Sequence, residues 1–316
     1  MESHAMLLEM VSKGNTKMRK MIPKQVSLAV AIVLCFSFPA AAQVDLSGSW
    51  ASKNHEDGLE RGAGPNPGDF TGIPFNESGR AKALAYSQSE LSMPERICAF
   101  YSQWHMMIGT FSVKIWNETD PVTGKTVAWV VGAWEDRAQM TIWMDGRPHP
   151  SKNAPHSQAG FTTGVWDGDV LTATTTHMLT GYLRRNGVMT SDQATMTTHF
   201  IRHGDMLTLA SQLDDPIYLS EPYYITRTFV NTSALMNSGG PPCIPGDEGV
   251  PEGTVPHYLP GKNPLLDEMM KLYNLPREAT LGGAETMYPA FRDKLKEKFT
   301  IPPRCTRNCG APPPPN

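Results

Sequence analysis

The chain has 316 residues, 40% hydrophobic and 19% charged, a balance that supports a packed core and excludes an intrinsically disordered protein. Its 28 basic and 31 acidic residues give a formal net charge of −3, which leaves no basic surplus for phosphate and excludes a nucleic-acid binder. The 27 glycines and 27 prolines follow no fixed period, so the chain is not collagen-like.

Residues 1–42 read as an address. Lys17, Arg19, Lys20 and Lys24 precede an apolar run from Val26 to Phe38, which ends in Pro39-Ala40-Ala41-Ala42. A positive start, a greasy stretch and a small-residue exit form a secretory signal peptide cleaved after Ala42, with residues 1–17 an upstream extension before Met18. A run of 13 residues is too short to cross a hydrocarbon core of ~30 Å. Cys35 follows Leu34 rather than a small residue and leaves with the signal. The trimmed chain carries 23 basic and 29 acidic residues, a net of −6, and is expected in the periplasm or medium with no membrane insertion. Cys98, Cys243, Cys305 and Cys309 then form an even set in an oxidising compartment, which predicts disulfides. Loop grounds favour Cys98 with Cys243 and Cys305 with Cys309; the other two pairings stay open.

Residues 44–50 predict a first strand, and a Gly/Pro/Asn loop follows over 62–68. Asn76 is the expected N-cap of a helix over 77–91. From Phe111 the period becomes two: Phe111, Val113 and Ile115 share a face, and strands are predicted at 126–134, 139–144, 160–166, 170–178, 194–203, 206–213 and 222–230. Asp120 to Gly124, Asp167-Gly168 and His203-Gly204-Asp205 supply the turns. No helical pattern separates most of these runs, so a parallel α/β sheet is excluded. About nine antiparallel strands make a meander, and Trp129, Val131 and Ala133 oppose Val130 and Trp134, so both faces need cover. Closure into an all-β up-and-down barrel over 43–231 satisfies this and removes raw edges, with a two-sheet sandwich as the alternative. Residues 232–301 predict a loop-rich extension packed on the barrel, with short helices at 264–273 and 288–299, and 302–316 a Pro-rich, extended tail.

Two resemblances follow from short motifs. Leu46-Ser47-Gly48-Ser49-Trp50 resembles the G-x-W opening of lipocalins, which implies a lipocalin-like barrel and an arginine late in the barrel packed on Trp50. Arg227, in the last strand, stands where that partner is implied. Trp143 to Pro150 (WMDGRPHP), Gly164 to Leu171 (GVWDGDVL) and Asp214-Asp215-Pro216 are similar to a group of exported proteins of acidobacteria and proteobacteria. That likeness implies export and carries over no functional residue.

Chemistry-bearing residues are few. His177, counted by twos from Leu171 through Ala173 and Thr175, falls on the apolar face at a strand's end, either as a barrel-mouth histidine that contacts ligand or shuttles protons or as a core histidine satisfied by a backbone carbonyl. His149 and His156 flank a loop and are read first as solvated. His199 and His203 are four apart, but on a strand that spacing is ~13 Å, too far for one metal. His105-Met106-Met107 reads as core filling rather than a copper site. Glu135-Asp136-Arg137 reads as a charged turn. Nucleophile elbows, zinc motifs, phosphate loops and haem motifs are missing, so no cofactor and no metal is expected. The aromatic residues carry the leading expectation: Trp129, Trp143, Trp166, Tyr182 and Tyr223 line an interior that binds a small apolar or amphipathic molecule, with simple core packing of a closed barrel as the other account of them. The alternatives are a cofactor-free hydrolase, lyase or isomerase using a mouth histidine, His177 or His149, with a carboxylate, and a structural or surface protein.

Overall fold

The computed structural model describes residues 44–57, 64–87, 101–107, 112–132, 139–233, 253 and 257–296. The leader, all five cysteines, Phe111, Ala133, Trp134, the 135–137 turn, most of 232–262 and the tail lie outside those residues.

Among the described residues eleven strands follow in chain order: β1 (Gly48–Ser52), β2 (Val113–Thr119), β3 (Thr126–Gly132), β4 (Met140–Trp143), β5 (Phe161–Asp167), β6 (Val170–Thr176), β7 (Gly181–Arg184), β8 (Val188–Thr190), β9 (Thr195–His203), β10 (Met206–Asp214) and β11 (Tyr223–Thr232). β7 and β8 pair only with each other, as a hairpin outside the main sheet. The other nine close into one barrel in chain order, β11 returning to β1. The expected strands and their neighbours are therefore present; the β7–β8 hairpin was not anticipated.

Ring closure dictates one further feature. Directions can alternate all the way round only when the number of strands is even, so a ring of nine must contain a parallel pair. That pair is β4 and β5, with Ile142 opposite Thr162 and Trp143 opposite Thr163. The crossover 144–160 supplies the reversal by carrying the chain back along the barrel before β5 begins. This corrects the expectation of an entirely antiparallel meander.

Cross-strand partners share a face, so the register sorts inside from outside. Inside, Leu171 opposes Phe200, Phe200 opposes Leu209, and Leu207 opposes Phe229. These side chains, with Trp50, Ile115, Met140, Ile142 and Met196, are almost wholly buried and form one cluster. Each such side chain contributes roughly 1.5–3 kcal/mol by leaving water. Outside, β5, β6 and β9 present Thr163, Thr172, Thr174, Thr176 and Thr197, β-branched residues that suit a pleated, half-wet surface.

Both ends carry large aromatic residues. At one end the Trp50 indole donates to the Leu46 carbonyl at 3.0 Å, and the Arg202 guanidinium lies 5.2 Å from the Trp50 ring centroid. At the other, the helix Gln103–Met107 is buried along its whole length, and the Trp104 ring lies 5.6 Å from that of Tyr223.

Beyond the barrel, Asn76 caps the helix Glu77–Leu84 by accepting from the Gly79 amide at 2.9 Å. That helix is shorter than its sequence pattern: Tyr86 leaves it to bridge with His257. The C-terminal segment attaches to this region, with Phe70 N–H donating to the Thr280 carbonyl and Gly72 N–H to that of Gly283. The short helices Glu268–Tyr273 and Pro289–Lys296 fall where the periodicity placed them. Among the described residues no helix is long and apolar enough to cross a membrane.

Candidate functional site

Two of the five aromatic residues singled out in the sequence meet inside the barrel. Trp129, on β3, opposes the buried Ile142, and Trp166, on β5, opposes the buried Leu171, so both project inward. Their rings meet edge to face with centroids 6.4 Å apart. Trp129 is 4% exposed. Both indole nitrogens are buried and neither donates a hydrogen bond.

Those two donors contrast with the inward hydroxyls of β5, β6, β9 and β10. The Thr162 and Thr175 hydroxyls pair at 2.8 Å, and those of Thr198 and Ser211 at 3.0 Å, each across adjacent strands. Buried polar groups are nearly always satisfied, and an orphaned one costs about 1–3 kcal/mol. Here the hydroxyls satisfy each other and the two indole N–H groups have no acceptor. Around them lie Met140 and Met144, unbranched side chains that repack readily. Gly164, facing inward between Thr162 and Trp166, leaves room that Ile142, Met144 and Leu171 fill.

Of the remaining three, Trp143 and Tyr182 lie outside the barrel interior and Tyr223 faces inward away from the Trp129–Trp166 pair. Trp143 is outward in register with Ala128 and Thr163, and the Arg147 guanidinium stacks 3.6 Å over its ring. Arg147 is held there by Asp145, so the W-x-D-G-R segment is an external stack closed by a turn with Gly146 at φ 75°. Exposed Asp145 is held below the usual carboxylate range by its hydrogen bonds to Arg147. Tyr182, on β7, is buried outside the ring, 6.4 Å from Tyr86 and 6.1 Å from Tyr101. Tyr223 faces inward opposite Leu213, against Trp104.

His149, His156 and His177 converge on the outer wall. His177 does not continue the alternation of β6: the strand ends at Thr176, and His177 turns away with φ 58°. Counting by twos holds only while the backbone stays extended. His177 Nε2 lies 2.9 Å from the Ser151 carbonyl, and its Nδ1 lies 2.7 Å from the Thr176 hydroxyl. His149, on the crossover, bonds Thr176 through Nδ1 and Thr163 through Nε2, both at 2.8 Å. His156 packs beside them, its ring 5.1 Å from that of His177.

The proton positions in this chain follow from one fixed end. A carbonyl only accepts, so His177 Nε2 must donate to Ser151. In the neutral ring Nδ1 then accepts from Thr176 O–H, and Thr176 accepts from His149 Nδ1–H. His149 Nε2 is left to accept from Thr163 O–H. Thr163, His149, Thr176, His177 and Ser151 thus form one directed relay. Burial, and secondarily the neighbouring His177, lowers the His149 pKa from its ordinary value. No carboxylate takes part in the bonds of this relay among the described residues.

His105 is a different case. It is 2% exposed and stacks on Tyr101 with centroids 3.9 Å apart. Burial, aided by the Arg185 charge, pushes its pKa down to about 3. Met106 and Met107 are buried beside it, in keeping with core filling. His199, outward on β9, bonds the Thr172 hydroxyl at 2.9 Å, while His203 is exposed at the strand's end. Among the described residues no three His, Cys, Asp or Glu side chains are grouped to hold a metal ion.

The arginine over Trp50 is Arg202 of β9, and nothing in its sequence context had marked it. Arg227 lies four residues before Asn231, the register partner of Trp50 on β11, and donates to the Thr226 carbonyl. Thr163 and Thr176 were equally unmarked, because threonines on an outer wall carry no motif. Comparison with family models, curated proteins and solved structures gives no match for this chain.

Proposed function

We propose that this protein is an exported binding protein whose barrel takes up one small apolar or amphipathic molecule bearing a hydrogen-bond acceptor. The observation that carries the reading is the pair of unpartnered indole N–H groups on Trp129 and Trp166 inside a closed barrel. An acceptor on the ligand would recover part of the cost of leaving those donors dry. Side chains fill the barrel around Trp50, so the ligand is small and seats near Trp129 and Trp166, where the methionines can give way. The positive, apolar, small-residue order of residues 17–42 supports export, and the trimmed chain's acidic balance suits a soluble carrier.

The test is a tryptophan-fluorescence titration with apolar probes that differ only in carrying a carbonyl. The carbonyl probe should quench saturably and bind more tightly than its hydrocarbon counterpart. Trp129→Phe and Trp166→Phe should each erase that preference by about 2- to 12-fold, the range of one neutral hydrogen bond. An unresponsive protein, or equal affinity for both probes, would contradict the proposal.

The Thr163–His149–Thr176–His177 relay favours a second reading, an enzyme without cofactor in which His149 draws the proton from Thr163. His149→Ala and Thr163→Val should then abolish turnover of an activated ester. Turnover that survives both changes removes this reading.

A further inference from the structure

We infer a second small-molecule site, outside the barrel, in a cleft of about 390 Å³ that takes a molecule with a flat apolar body and one anionic group. The cleft is lined by three segments far apart in sequence. Lys82, Ala85, Tyr86 and Ser87 come from the end of the helix Glu77–Leu84, Gly187 and Met189 from the β7–β8 hairpin, and His257 from the C-terminal segment. Its volume is at the lower end of small-molecule sites, enough for a bicyclic aromatic.

The walls are fixed against each other. Tyr86 bridges to His257, and the Leu84 and Ala85 carbonyls accept from the Gly261 and Tyr258 amides at 3.0 and 2.8 Å. The Tyr86 carbonyl accepts from the Asn263 side chain at 2.8 Å. Gly187, at φ 96°, lets the hairpin turn lie against Tyr86, since a side chain there would meet the Tyr86 Cβ at 2.2 Å.

The same bonds decide the ligand's charge. The helix-end carbonyls that would attract a cation are engaged by the 258–263 segment. Among the described lining residues the ionisable groups besides the Tyr86 phenol are Lys82 and His257, and neither is paired with a described carboxylate. Ala85, Met189 and the Tyr86 ring supply the apolar surface. A lysine at the rim over an apolar floor, with no acid among the described lining residues, selects an aromatic carboxylate over a neutral or cationic molecule of the same shape.

Equilibrium dialysis of the full chain tests this with three probes of one shape: 2-naphthoate, 2-naphthamide and 2-naphthylmethylammonium. Naphthoate should bind tightest and the ammonium weakest. Lys82→Glu, at an exposed position that folding tolerates, should weaken naphthoate roughly fivefold by exchanging attraction for repulsion. Met189→Trp should abolish binding by filling the cleft, while Trp129→Phe should leave it within about twofold, which separates this site from the barrel interior. Equal binding of the three probes overturns the inference. So does naphthoate binding that is indifferent to Lys82→Glu and Met189→Trp, or that Trp129→Phe weakens instead.

Discussion

Acidification should destabilise the protein well above the range where carboxylates titrate, and His105 should be the main cause. Its imidazole is held neutral by burial, with a pKa of about 3 against 6.5 for the free side chain. The unfolded chain therefore binds a proton that the folded chain refuses, and stability falls as pH drops below about 6.5. The loss grows by about 1.4 kcal/mol per pH unit and levels off near pH 3, where the folded imidazole itself accepts the proton. Between pH 7 and pH 5 the expected cost is about 2 kcal/mol. His149, also lowered, adds a loss of the same sign. Urea denaturation at pH 7, 6 and 5 measures this directly. His105→Phe keeps a ring against Tyr101 and removes the titrating group, so its stability should vary far less with pH. A variant that lost as much stability as the parent between pH 7 and pH 5 would refute the assignment.

Three other changes probe separate parts of the structure. Thr176→Val removes the hydroxyl shared by His149 and His177 and should cost about 1–2 kcal/mol, read by urea denaturation, with faster proteolysis of the 144–160 crossover. Unchanged stability and cleavage would mean the relay does not pin that segment. Gly164→Ala places a Cβ 2.6 Å from Ile142 and 2.7 Å from Met144, and overpacking should cost about 1–3 kcal/mol in thermal denaturation. A neutral effect would show that this stretch of the interior is slack. Arg202→Met removes the cation from the Trp50 ring and should cost about 0.5–1 kcal/mol, with a shift in tryptophan emission that Arg227→Met does not reproduce.

The barrel was legible because its strands keep strict alternation and its turns carry glycine. Val113 and Ile115, then Leu171, Ala173 and Thr175, announce one face without reference to any partner. The parallel β4–β5 pair was not legible strand by strand, although an odd count in a closed ring requires it. The interior site was half legible. Trp129 and Trp166 fell on inward positions, but Trp143 differs from Ile142 by one residue, and one residue on a strand is the other face. His177 was misplaced because a left-handed residue ended the alternation, and no glycine or asparagine marked the spot. The His149–Thr176–His177 relay joins segments 27 residues apart, and spacing along the chain cannot reveal such a meeting.

A binding role for the barrel requires that the dry indoles of Trp129 and Trp166 meet a ligand's acceptor. Nitrogen-15 NMR of indole-labelled protein reports on both N–H groups individually. On adding a small carbonyl-bearing apolar molecule, those two resonances should move downfield and saturate together, while the Trp50 indole, already bonded to Leu46, stays in place. Two stationary signals across a panel of such molecules would contradict a binding role for the barrel.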